Sequence, residues 1–147
     1  MLRLIGALLL FALASPVVLA ADENLVIRTA TAEHGFTVEI AATPQARASG
    51  LMRRAALAEN TGMLFDFGTV APVTMWMKDT LIPLDMLFIR ADGAIANIEQ
   101  RTVPQSLAAI PSSGAILAVL EVNGGTSARL GIRRGDRVLH RLFGASK

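Results

Sequence analysis

Apolar and polar positions alternate most clearly from Gly35 to Thr43, where Phe36, Val38, Ile40 and Ala42 interleave with Thr37, Glu39 and Ala41. A repeat of two is the pattern of a strand with one buried face. Asn24 to Thr31 precedes it across the polar link Ala32-Glu33-His34, so the two runs predict an opening hairpin. Thr43-Pro44 then predicts a helix start, threonine capping the free amides and proline taking the first helical position. Gly50 is placed to stop that helix after about two turns.

Further along, Gly62 to Phe67 ("GMLFDF") predicts a strand ended by Gly68, and Val73 to Asp79 predicts another. Pro83 cannot donate to a sheet ladder, so a turn near Ile82-Pro83 separates the latter from Leu84 to Arg90. Asp92-Gly93 between the apolar runs Leu84 to Arg90 and Ala94 to Gln100 is a tight-hairpin signal. Thr102 to Ser113 is polar with two prolines and predicts a loop. Gly114 to Val122 is apolar almost throughout, as a strand covered on both faces would be. Gly124-Gly125 breaks it, Thr126 to Leu130 allows one helical turn, and Arg137 to Phe143 predicts a last strand. The sum is one mainly β domain, a single compact barrel or a two-sheet sandwich with one or two short helices.

The first twenty residues follow a different rule. Arg3 is followed by the apolar run Leu4 to Leu19 and by small residues up to Ala20. That is the layout of a secretory signal peptide cleaved before Ala21, which leaves residues 21–147 as the single domain. The alternative is an uncleaved anchor helix, but the run is short for a span and Pro16 interrupts it. The expectation is a periplasmic or secreted protein with no stable membrane span after cleavage.

Composition narrows the chemistry. The 147 residues include no cysteine, which removes a lipid-anchored thioether, a catalytic thiol, disulfides and thiolate metal sites. Without Arg3 the basic count falls from 14 to 13 against 12 acids, a net charge of about +1. No basic block is interleaved with aromatics, so nucleic acid is not an expected partner. Met75 and Met77 could offer two thioethers on one strand face, but no histidine is near them in sequence. Core packing is the commoner use of methionine, and no metal or cofactor is expected. Gly124-Gly125 and Gly135-Asp136 are turn chemistry, with no lysine in P-loop position.

Val73 to Ile89 is the most apolar segment of the domain, yet it carries Lys78, Asp79 and Asp85. Thr74, Trp76 and Lys78 would share one strand face, with Met75, Met77 and Asp79 on the other. A tryptophan beside a lysine can line a binding surface; it can equally pack under a loop while the lysine reaches water. Asp85 and Glu121 lie in apolar surroundings, and buried carboxylates are normally paired or neutralised. Arg47, Arg54 and Lys78 are the natural partners, which predicts a cluster of charges at one end of the barrel. Asp79, Asp85 and Glu121 could instead supply the acid and base of a glycoside hydrolase. Ser-His-Asp catalysis is disfavoured, since His34 lies in a predicted turn, His140 in a terminal strand, and there is no nucleophile elbow.

Five phrases occur in an order that resembles the DUF192 family of bacterial and archaeal proteins. They are "TPQARASGLM", "GMLFDF", "MWMKDTLIPLDMLFI", "VLEVNGG" and "LGIRRGDRV", spanning nearly the whole predicted domain. The resemblance implies a compact β-rich domain, often exported, with no established activity. It points to Arg47 and Arg54 around Gly50-Leu51-Met52, to Trp76, Lys78, Thr80, Pro83 and Asp85, and to Glu121. Three positions depart from the family pattern: Asp79 replaces a usual asparagine, and Met75 and Arg53 replace common aromatics.

The expected function is therefore a non-catalytic envelope module that binds a small-molecule, polymeric or protein partner. Its candidate ligand-binding residues are Arg47, Arg54, Trp76, Lys78, Asp79, Asp85 and Glu121, with no catalytic residue assigned. The alternatives are an envelope hydrolase built on the same carboxylate and lysine cluster, and a structural domain with no site.

Overall fold

The computed structural model describes residues 21–144; the expected signal peptide lies outside them. Seven strands form one curled sheet, a half-barrel, in the order β5-β4-β6-β3-β2-β1-β7. In chain order they are β1 (Glu23–Arg28), β2 (Glu33–Ala41), β3 (Thr61–Met75), β4 (Leu84–Ile89), β5 (Ile95–Glu99), β6 (Ile110–Asn123) and β7 (Arg137–Leu139). Helices α1 (Pro44–Ser49) and α2 (Thr126–Leu130) are short. Every paired strand runs antiparallel except β2 and β3, which are parallel and joined through α1. The two edges of the sheet meet at one end, where Ala94 bridges Arg137.

The mainly β class and the short helices are as expected, and the sheet curls on itself instead of splitting into a sandwich. Alternation explains why both of its faces are apolar. Leu64, Leu87, Leu120 and Val122 pack into the concave cluster with Leu25, Ile27 and Val38. Their strand neighbours Met63, Phe65, Met86, Phe88 and Val119 point the other way, into a second cluster with Leu51 and Met77. All six residues of β4 are buried, so no alternation is visible there.

Local signals act as the sequence predicts. Thr43 Oγ1 accepts from Ala46 N–H at 3.1 Å, and Pro44 opens α1. Gly50 ends it at φ +46°, where a Cβ would also stand 3.0 Å from Phe65 Cζ. Position 50 therefore demands glycine twice, for its dihedral and for the approach of the aromatic ring. The β4–β5 turn forms at Asp92-Gly93, with Gly93 at φ +84°.

Three elements differ from expectation. The strands expected at Gly62–Phe67 and Val73–Asp79 are one fifteen-residue strand, β3. Gly68 does not end it, because a bulge between Asp66 and Ala71 absorbs the glycine, and Asp66 Oδ1 accepts from Gly68 N–H at 2.8 Å. β6 starts at Ile110, inside the expected loop, because the long β3 offers it a partner as far as Met75. The last expected strand stops at Leu139 and continues as a 3-10 turn, Arg141–Phe143. His140 Nδ1 caps that turn by accepting from Leu142 N–H.

Candidate functional site

Four of the seven candidate residues line one cavity. It has a volume of about 220 Å³ and lies over the second apolar cluster, between the end of α1 and β3 with the segment that follows it. Arg47 comes from the helix, Trp76 and Lys78 from the chain after β3, and Glu121 from β6. Phe65, Phe67 and Thr74 of β3 complete the walls.

Glu121 is only 4 % exposed. Its strand neighbours in register are Met63 on β3 and Met86 on β4, and neither offers a polar side-chain group beyond a thioether. Among the described residues nothing donates a hydrogen bond to its carboxyl or lies within ion-pair distance. Burial therefore pushes its pKa up to about 8. At neutral pH it is a carboxylic acid carrying one O–H donor.

The mouth is cationic. Arg47 Nη1 donates to Ala42 O and Asp66 O, both at 2.8 Å, which straps α1 to β3. Its guanidinium lies 5.5 Å from the Phe67 ring centre, and Lys78 Nζ lies 5.3 Å from that of Trp76. Both are cation–π distances. Trp76 is 50 % exposed despite its size. Met77 between them is fully buried, so the alternation expected of this stretch persists past the end of β3.

Three candidates lie elsewhere. Asp85 is fully buried and accepts three backbone N–H groups, from Arg101 and Gly125 at 2.9 Å and from Ser127 at 2.8 Å. It ties the start of α2 to the chain after β5. Arg54 makes a two-bond pair with Glu39, Nη2 to Oε2 at 2.8 Å, beside a separate depression. The shared hydrogen bonds lower the Glu39 pKa and raise that of Arg54. Asp79 sits at φ +51°, its carbonyl accepting from Arg53 N–H at 2.8 Å. Asparagine and aspartate both tolerate that left-handed conformation, so the departure from the family's asparagine keeps the turn. The charges thus do not converge in one cluster: Lys78 is solvated, Asp79 shapes a turn and Asp85 anchors backbone.

Neither His34 nor His140 lines the cavity. Phe65 and Phe67 were not singled out from the sequence. Alternation in "GMLFDF" puts them on the face of Met63, but only the pairing of Met63 with Glu121 brings that face to the acid.

The exposure of Lys78 sets an expectation for stability. Lys78→Met should change the unfolding free energy by no more than about 1 kcal/mol, read as a small shift in the urea midpoint at unchanged slope, as at other solvated positions. A loss of several kcal/mol would mean that Lys78 holds a buried charge.

Comparison with known proteins places this geometry in a family. The crystal structure of a protein from Sinorhizobium meliloti 1021, described as a "putative transcription regulator", is 47 % identical and superposes with a TM-score of 0.83. That match covers 86 % of this chain and 99 % of the other. A protein of unknown function from Novosphingobium aromaticivorans DSM 12444 is 38 % identical with a TM-score of 0.80, covering 86 % and 91 % of the two chains. No curated protein matches the chain. The model of the DUF192 family, described as an uncharacterized ACR, matches residues 25–140, and the chain belongs to that family.

Proposed function

We propose that this chain is a cell-envelope module that binds a small ligand in the cavity over Glu121 without transforming it. One contrast carries the proposal. Asp85 is a buried carboxylate with three backbone donors, which is how a structural carboxylate is satisfied. Glu121 is buried to a similar depth with no such partner, and it faces open space instead of backbone. A carboxyl that opens on a cavity without a protein partner is free to hydrogen-bond a ligand there.

An acid held protonated at neutral pH also suits general acid catalysis. Hydrolysis by paired carboxylates needs a second one nearby, and Asp79 and Asp85 lie outside the cavity. This favours binding over hydrolysis. The description of the Sinorhizobium protein belongs to that protein. In this chain the longest described helix has six residues, so there is no counterpart of a major-groove recognition helix among the described residues.

The envelope location rests on the signal-peptide pattern of residues 1–20. Intact-mass measurement should give a mature chain starting at Ala21. A mass retaining residues 1–20 would remove the export assignment.

Trp76 is the only tryptophan and there is no tyrosine, so intrinsic fluorescence reports on this cavity alone. Titration of the mature protein with a panel of small metabolites should give saturable changes in Trp76 emission for at least one of them. Glu121→Leu should abolish that change while leaving the far-ultraviolet circular dichroism intact. Silence across the panel, or binding unaffected by Glu121→Leu, overturns the proposal.

A further inference from the structure

The cavity also restricts what can enter it. Two of its aromatic rings, exposed Trp76 and partly buried Phe67, already carry the protein's own cations, Lys78 over Trp76 and Arg47 over Phe67. An incoming cation would meet like charge where an aromatic cage would otherwise hold it. Arg47 uses Nη1 on backbone carbonyls, while its Nε and Nη2 donate to no acceptor among the described residues. Lys78 has no ion pair among them either, so both cations can take an anion at the mouth.

Among the lining residues, Phe65 and Phe67 supply aromatic wall, and the buried polar side chains are the Glu121 carboxyl and the Thr80 hydroxyl, whose proton is already given to Lys78 O at 3.1 Å. The cross-strand neighbours of Glu121 are apolar on both sides, Met63 from β3 and Met86 from β4, and Leu51 after α1 lines the same cavity. The charged groups around the cavity are Arg47 and Lys78 alone among its lining residues, with no second acid. A ligand donor could meet the Glu121 carbonyl oxygen, but it would leave the buried O–H without an acceptor. A ligand acceptor satisfies it.

We infer that the cavity takes a small organic anion with a hydrogen-bond acceptor remote from its charge. The anionic group meets Lys78 and Arg47 at the mouth, the apolar body lies against Phe65, Phe67 and Trp76, and the acceptor receives the Glu121 O–H. This inference rests on the binding function proposed above and adds the class of ligand.

Two keto acids, 4-acetylbenzoate and the shorter 4-oxopentanoate, are suitable probes. Their controls are 4-acetylbenzamide, which lacks the charge, 4-ethylbenzoate, which lacks the acceptor, and 4-acetylbenzylamine, which reverses the charge. Binding to the mature protein is read from the single Trp76 indole resonance in nitrogen–proton correlation spectra. At pH 6.5 at least one keto acid should bind about tenfold or more tightly than every control, as expected for losing one charge-assisted or buried hydrogen bond. Ionising a group with a pKa of about 8 should weaken that affinity about tenfold by pH 9. Glu121→Gln, which keeps a donor, should bind the same keto acid with little change over that range.

Equal or tighter binding of the amine would overturn the assignment, and so would keto-acid affinity unchanged to pH 9 in the wild type. If neither keto acid moves the Trp76 resonance while a metabolite of the panel does, the ligand class is wrong and the binding function stands. If neither set moves it, both fail.

Discussion

Replacing Asp85 with alanine should lower the unfolding free energy by roughly 3–5 kcal/mol, the loss expected when a buried charge-assisted network is left without its acceptor. The side chain is fully buried, and its two oxygens receive the N–H groups of Arg101, Gly125 and Ser127. Water cannot replace it without space, so three donors would be stranded together. Asp85→Asn should show an intermediate loss. Its oxygen can keep the Arg101 and Gly125 bonds, but its amide would oppose the Ser127 N–H, donor to donor. Urea unfolding of both variants measures this as a shift in midpoint at unchanged slope. A loss below about 1 kcal/mol for the alanine variant would show that Asp85 is not the anchor of these segments.

Glu121 should make the stability of the wild type fall with rising pH relative to that of Glu121→Gln. Its carboxyl titrates near 4.5 in the unfolded chain and at about 8 in the fold. Between those values the unfolded state has released the proton that the native state still holds, so each rise in pH favours unfolding. The stabilisation is complete below about pH 4.5 and is lost by about pH 8. The slope approaches about 1.4 kcal/mol per pH unit, giving a total on the order of 5 kcal/mol. Comparing the two proteins across pH 4.5–8.5 cancels the titrations they share. Parallel stability curves would show that Glu121 has a partner or is hydrated, and would remove the physical basis of the cavity's chemistry.

The sequence by itself determined the elements whose causes are local. Thr43, Pro44 and Gly50 delimit α1 within eight residues, because capping and glycine dihedrals act over one turn. The Asp92-Gly93 hairpin and the Gly124-Gly125 break are equally local. Hydrophobic alternation carried the mainly β class, since period two needs no knowledge of partners.

Tertiary structure alone decided the length of β3 and the membership of the site. β3 runs through Gly68 because β6 pairs with it on both sides of the bulge, a partner more than forty positions away. Residue type and the family resemblance placed Arg47, Arg54, Trp76, Lys78, Asp79, Asp85 and Glu121 in one candidate set. The fold gathered four of them in a cavity and gave Arg54, Asp79 and Asp85 to an ion pair, a turn and a backbone anchor. Asp85 and Glu121 are both acids amid apolar neighbours, and in the chain they look alike. What separates them is what stands opposite in space. Asp85 meets the amides of Arg101, Gly125 and Ser127, while Glu121 is flanked by Met63 and Met86 and opens on the cavity. Those neighbours are set by strand register and loop closure between distant segments, and local sequence carries no trace of that pairing.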